Sequence, residues 1–246
     1  MGIKYVTEPI QNISMARNRS VREAVGTLVA FIDDDEEAEP GWLVNMWREL
    51  NQHRADGAFG RVIPLLPPGT ADWITDGGFF DGYSLRTGVE LLWYQTRTSN
   101  ALIRWEALTA LPVLFDPAFG LTGGEDVDLF SRMIDRGYRF IAVDSGIVWE
   151  TIPPERATFR WLSRRNVRNG ITITRIECRG MARRRQFFYS LKALYEVLSF
   201  GVRGTINLSW SKAAGFRHLF RAVEGLGKVA GLMGFSYEEY GARRRL

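Results

Sequence analysis

Leu28-Val29-Ala30-Phe31-Ile32-Asp33-Asp34-Asp35 sets five apolar residues directly against three carboxylates. An unbroken apolar run of that length, ended by acids, reads as a strand buried on both faces, as in a parallel sheet covered by helices. The acids then fall at the C-terminal edge of the strand, where open α/β sheets bind their ligands. If extended backbone continues through the triplet, Asp33 and Asp35 point one way and Asp34 the other. Two carboxylates aimed at one spot repel unless a cation or a proton intervenes. Mg²⁺ takes one or two carboxylates and completes its shell with substrate phosphate oxygens, so a divalent ion carrying a diphosphate suits this triplet. A calcium loop does not, because Ala38 stands where that loop needs glycine. The plainer alternative is a solvated loop over residues 34–37.

Outward from the triplet, the chain alternates between helical and extended patterns. Residues 14–25 predict a helix capped by Asn12 or Ser14. Pro40 opens a second helix, with Trp42, Leu43, Met46, Trp47 and Leu50 on one face. Strands are expected at 57–63, 101–103, 140–143 and 147–149, and a short helix at 105–110. Residues 64–97 hold Pro64, Pro67, Pro68, Gly77 and Gly78 and predict a long surface excursion, the kind of segment that usually serves binding. After Pro153-Pro154 the pattern is helical. The alternation implies an α/β fold with a helical C-terminal extension.

A second acidic cluster, Gly123-Gly124-Glu125-Asp126-Val127-Asp128, opens a predicted helix that stops at Gly137. Acids favour helix N-termini through the macrodipole, but the paired glycine ahead of them also lets backbone approach a ligand closely. A carboxylate here is a candidate general base toward an alcohol.

Composition narrows the chemistry. Cys178 is the one cysteine, which excludes a disulfide framework. His53 and His218 are the two histidines, so a metal site must be built mainly from carboxylates. No run reaches the roughly 20 apolar residues of a membrane span, and the first residues do not read as a secretion signal. A cytoplasmic location is expected. The net charge of +4 divides unevenly: residues 1–150 carry 13 Lys and Arg against 22 Asp and Glu, a net −9, and residues 151–246 carry a net +13. That split suggests a cation-binding front and an anion-facing rear, the acidic front arguing against nucleic acid as a partner.

Four stretches taken in order, "ISMARNRSVREAVGTLVAFIDDDEEAEPGWL", "NALIR", "FDPAFGLTGGEDVDLFSRMIDRGYRF" and "RATFRWLSRRNVRNG", resemble the inverting family 2 glycosyltransferases of the GT-A fold, of the bacterial polysaccharide-biosynthesis type. The resemblance covers about residues 3–170. It implies a mixed, mostly parallel sheet flanked by helices, in a chain that begins after the family's opening strand–helix–strand unit. It implies a partial catalytic domain over 1–170 and a helical extension over 171–246. By the same resemblance, Asp126 is the catalytic base, and Asp33 and Asp35 bind Mn²⁺ or Mg²⁺, with Glu150 standing where the family carries a histidine. Arg17, Asp33, Asp34, Asn100, Gly123, Gly124, Glu125, Arg160, Trp161 and Arg164 would bind a nucleotide-sugar donor. Arg160-Trp161 end a basic family motif whose first position is here Ala157. The reaction implied is sugar transfer from a nucleotide diphosphate to a hydroxyl of a glycan or lipid-linked glycan. A catalytically impaired fragment, or a membrane- or partner-binding remnant of the fold, is the alternative.

Helical spacing places Arg156, Arg160 and Arg164 on one face, a row suited to diphosphate oxygens or to solvent. Further on, Phe216, Leu219, Phe220, Val223, Leu226, Ala230 and Met233 share a stripe. Gly225, Gly227, Gly231 and Gly234 interrupt it, each costing about 1 kcal/mol relative to alanine. Such a helix needs a surface, either the domain itself or an anionic membrane. The basic C-terminal helices thus offer a peripheral contact with the inner face of the plasma membrane.

Overall fold

A computed structural model describes residues 3–241. The chain forms two compact units. One takes the chain up to Pro64, Asp81–Glu150 and the stretch from Glu238; the other takes Leu65–Phe80 and Thr151–Tyr237. A division at residue 170 would cut a single helix, Phe159–Glu177. Its buried residues Leu162, Gly170, Ile171, Thr174 and Ile176 lie on both sides of that position, and the helix belongs to one unit as a whole.

In the first unit, α1 (Ile13–Glu23) starts at Asn12, whose side chain accepts the Met15 N–H at 3.0 Å. It leads to β1 (Leu28–Phe31), β2 (Glu36–Ala38), α2 (Trp42–Gln52) and β3 (Gly57–Leu65). After the excursion, which contributes α3 (Asp72–Thr75) to the other unit, come β4 (Ala101–Arg104), α4 (Trp105–Thr109), α5 (Glu125–Ile134) and β5 (Phe140–Thr151). The strands expected at 140–143 and 147–149 are therefore one continuous element.

The sheet order is β1-β4-β3-β5-β2. The α/β fold, a sheet flanked by helices with a helical C-terminal region, is as expected. Within the sheet the pairings β1–β4, β3–β4 and β2–β5 are antiparallel, so it is less parallel than expected. β1 ends the sheet among the described residues; Val29 is buried in it and Ala30 is exposed. An apolar run reads the same in a strand covered on both faces and in an end strand whose residues stay partly open, so the sequence pattern does not separate the two.

Alternation along the inner strands builds two cores. Phe59, Ala101, Ile103, Phe140 and Ala142 face a cluster with Leu108, Phe115, Leu129, Phe130 and Met133, from α4, α5 and the segment between them. Ala58, Leu102, Ile141 and Val143 face the other way, onto Met46 and Leu50 of α2. Helices thus cover both faces.

The second unit consists mainly of α6 (Phe159–Glu177), α7 (Arg183–Asn207) and α8 (Lys212–Leu232). α8 packs on both α6 and α7, through glycine. A Cβ on Gly227 would lie 2.2 Å from the Val167 carbonyl oxygen, and one on Gly170 would lie 2.1 Å from that of Glu224. Part of the apolar stripe of α8 is spent on packing, while Leu226 and Met233 stay exposed. Phe220 is buried, and Phe216 joins it against Trp73 and Phe79. No helix of the described residues is long and apolar enough to cross a membrane.

Candidate active site

Extended backbone does not persist beyond β1. Asp34 and Asp35 form a turn in which the Glu36 N–H donates to the Asp33 carbonyl at 3.2 Å. The alternation that placed Asp33 and Asp35 on one side therefore lapses. Nor are residues 34–37 a solvated loop, since Glu36 starts β2 and pairs across to Glu150. The Glu36 carboxylate accepts the Asp33 N–H at 2.9 Å, closing the turn from its other end.

Glu36 is a residue that sequence reasoning passed over. Burial pushes its carboxyl up to about 7; the Asp33 N–H pulls it down, and the charges of Asp33 and Glu150 push it up again. Like charges directly opposite on paired strands are unfavourable, and the Arg97 charge offsets part of that repulsion at Glu36. The signal available in the sequence was only the length of the acidic run, which does not reveal a strand partner 114 positions away.

The other half of the site is the start of α5. Gly123 and Gly124 have φ of +75° and +88°, the left-handed region open to glycine. This turn aims the first residues of α5 at α1. Buried Glu125 pairs with Arg17 of α1, and Arg17 also reaches Asp33 at 3.6 Å. Burial works against the charge on Arg17, but Asp126, Glu125 and Asp33 outweigh it and raise its pKa. Asp126 is half-buried, and its Oδ2 accepts the Thr98 N–H at 3.2 Å. Its charge also acts on Asp33, whose carboxyl is raised by burial, lowered by Arg17 and raised by Asp126, Asp35 and Asp34. The fold therefore brings Arg17, Asp33, Glu125 and Asp126 together from elements far apart in the chain. Glu125 serves there as the buried partner of Arg17.

Among the described residues, no three His, Cys, Asp or Glu side chains meet as a metal cluster, so Asp33, Asp35 and Glu150 do not form an all-protein cage. The donor set does fit an ion held by one or two carboxylates and completed by substrate oxygens. Burial is the main cause that raises the Asp33 and Glu36 carboxyls, and neighbouring carboxylates add to it; a cation would relieve that added repulsion.

Asn100 has a different job from the expected ligand contact. Its side chain accepts from Trp42 Nε1 at 2.6 Å and donates to the carbonyls of Arg61 at 2.9 Å and Gly146 at 2.7 Å. Fully buried and at φ +53°, it is a latch between strands, in a conformation that asparagine tolerates well. In the second unit, Arg156 precedes α6, so Arg160 and Arg164 alone share a helix face, both exposed. Trp161 stacks on Phe80 at 5.7 Å, with the Arg165 guanidinium 5.4 Å from its ring centre. Arg165, not singled out by the motif, also donates to the Phe79 carbonyl at 3.3 Å.

A family model described as Glycosyl transferase family 2 matches residues 1–96. The succinoglycan biosynthesis protein ExoM of Rhizobium meliloti (strain 1021) is 31% identical over 248 residues, spanning 98% of this chain and 77% of the relative. Among solved structures, S. aureus TarS aligns at 14% identity and a TM-score of 0.41, over 90% of this chain and 42% of that one. TarS 1–349 in complex with UDP aligns with the same identity and TM-score, over 91% and 71%.

Proposed function

This chain belongs to glycosyl transferase family 2 and is a glycosyltransferase of the GT-A type, and from that premise we propose that it moves a sugar from a nucleotide-diphosphate donor to a hydroxyl of a glycan or lipid-linked glycan, with inversion and with a divalent ion. The observation that carries this reading is the convergence of Asp126 at the start of α5 with Arg17 of α1 and Asp33 just past β1. The relative active in succinoglycan biosynthesis supports a glycan acceptor.

In this mechanism Asp126 takes the proton of the acceptor hydroxyl as that oxygen attacks the anomeric carbon. The bond from that carbon to the diphosphate oxygen breaks on the opposite face, and the nucleoside diphosphate leaves with the electron pair. The new glycosidic bond has inverted configuration. The Thr98 N–H holds one Asp126 oxygen and so fixes the direction in which the carboxylate presents itself. Arg17 anchored by Glu125 keeps positive charge between two carboxylates, which limits their repulsion while the site is empty of substrate. Asp33 and Asp35 would hold Mn²⁺ or Mg²⁺, which when bound offsets charge on the diphosphate. Exposed Arg160 and Arg164 are suited to phosphate oxygens in the second unit.

Asp126→Asn tests the assignment. Nucleoside diphosphate release from a panel of nucleoside-diphosphate sugars, with Mn²⁺ and a glycan acceptor, should fall about 10²–10⁴-fold. Calorimetric binding of the donor should persist. Unimpaired turnover in this variant would sink the role given to Asp126.

A further inference from the structure

α7 has two faces of opposite use. Ala193 and Gly204 are buried, and Gly204 closes on Leu219 of α8. On the far side Phe187, Leu191, Leu194, Leu198 and Val202 recur every three or four residues, and each leaves 46–70% of its surface in solvent. They form one stripe over roughly 22 Å of helix. A continuous exposed apolar strip on a folded chain marks an interaction surface. Trp210, just past the end of α7, is 78% exposed.

The charge around the stripe has one sign. Arg183, Arg184 and Arg185 open the helix, and Lys192 and Arg203 border the stripe; all five are exposed. The one acid of α7, Glu196, is half-buried and turned inward to Lys228 at 2.9 Å. A second copy laid against this face would bring the same cations toward one another. An anionic lipid surface instead offers acyl chains to the stripe and phosphates to the cations. A basic amphipathic helix with this division lies in the plane of the interface, and exposed tryptophan favours the headgroup level. α8 buries Phe220 and leaves Leu226 and Met233 exposed, whereas all five stripe residues of α7 are exposed, so α7 presents the longer continuous strip to lipid.

We propose that α7 is a membrane-interface helix, its outer stripe seated among the acyl chains of an anionic bilayer and its bordering arginines and lysine on lipid phosphates. This surface requires neither donor nor metal, so its test is separate from that of the transferase site.

Flotation of the full chain with phosphatidylcholine vesicles, with and without phosphatidylglycerol, reads it directly. The wild type should rise with the anionic vesicles and only weakly with the neutral ones. Leu194→Glu with Leu198→Glu should lower partitioning by about tenfold or more. Lys192→Glu with Arg203→Glu should remove the preference for phosphatidylglycerol and flatten the salt dependence. Both pairs of substitutions alter exposed positions, and circular dichroism should report unchanged helix content; the charge variant keeps the test decisive if the stripe variant folds poorly. Failure of the wild type to bind anionic vesicles would overturn the proposal, as would binding indifferent to both variants. So would a wild-type dimer, seen by light scattering, that Leu198→Glu dissociates without any vesicle binding, because a second copy would then cover the stripe.

Discussion

In the first unit Arg17 is enclosed by Glu125, Asp33 and Asp126, whereas in the second Arg160, Arg164, Arg183 and Arg203 stand in solvent. The enclosed guanidinium has its direction set by partners from two other elements, and it pulls the Asp33 carboxyl down against the larger upward push of burial. The exposed ones share sign and position along a helix, and Arg203 rests over the Phe200 ring. The contrast separates two ways of using charge. Enclosure fixes a few groups in the geometry a reaction needs, while exposure presents many groups to a surface that is itself adaptable.

The contrast can be broken first at Arg17. Arg17→Met leaves buried Glu125 without its cation, and urea denaturation should show a loss of about 3–5 kcal/mol. Arg17→Met combined with Glu125→Gln should recover much of it. A single variant as stable as the wild type would mean that the first unit does not depend on enclosed charge.

The helical unit should be sensitive to volume instead. Gly227→Ala forces a methyl against the Val167 carbonyl, and thermal or urea unfolding should report about 1–3 kcal/mol of destabilisation from overpacking. Gly201 faces open space, so Gly201→Ala should stabilise by up to about 1 kcal/mol through helix propensity. Equal effects at the two glycines would refute the close packing of α8.

A smaller effect distinguishes the acidic site by pH. Glu36 titrates near 4.5 when unfolded and at about 7 when folded. Between those values the folded chain holds the extra proton, so its stability falls as pH rises through the window. Glu36→Gln should flatten melting temperature against pH over that range, raising it most above pH 7. The smallest effect is expected at the α7 stripe, where Leu198→Glu should change stability by no more than about 0.5 kcal/mol while reducing vesicle binding.

Much of the first unit was legible locally. The Asn12 cap, the apolar face of α2, the paired glycine before α5 and the strand character of 28–31 each depend on neighbours within a turn or two. The acidic start of α5 was legible for the same reason as a place for a base, and the choice of Asp126 within it came from the family resemblance. The antiparallel sense of the sheet was not, because pairing such as Leu28 with Arg104 is set by connections dozens of residues long. The family resemblance made Asn100 a ligand contact, and its side chain became a latch once Trp42, Arg61 and Gly146 surrounded it. Glu36 passed for part of a polar loop until Glu150 lay opposite.

By itself the sequence determined the α/β alternation, the acidic front and basic rear, and the two acidic motifs, because periodicity, capping and charge are properties of adjacent residues. Tertiary structure alone decided that Arg17 and Glu125 form a pair and that Asp34-Asp35 turn back into a strand. It also decided that α8 is packed while α7 shows its apolar face to solvent. An amphipathic stripe states only that a helix has something to cover. Which helix is covered depends on where glycine lets two backbones approach, and that is settled only when the helices meet.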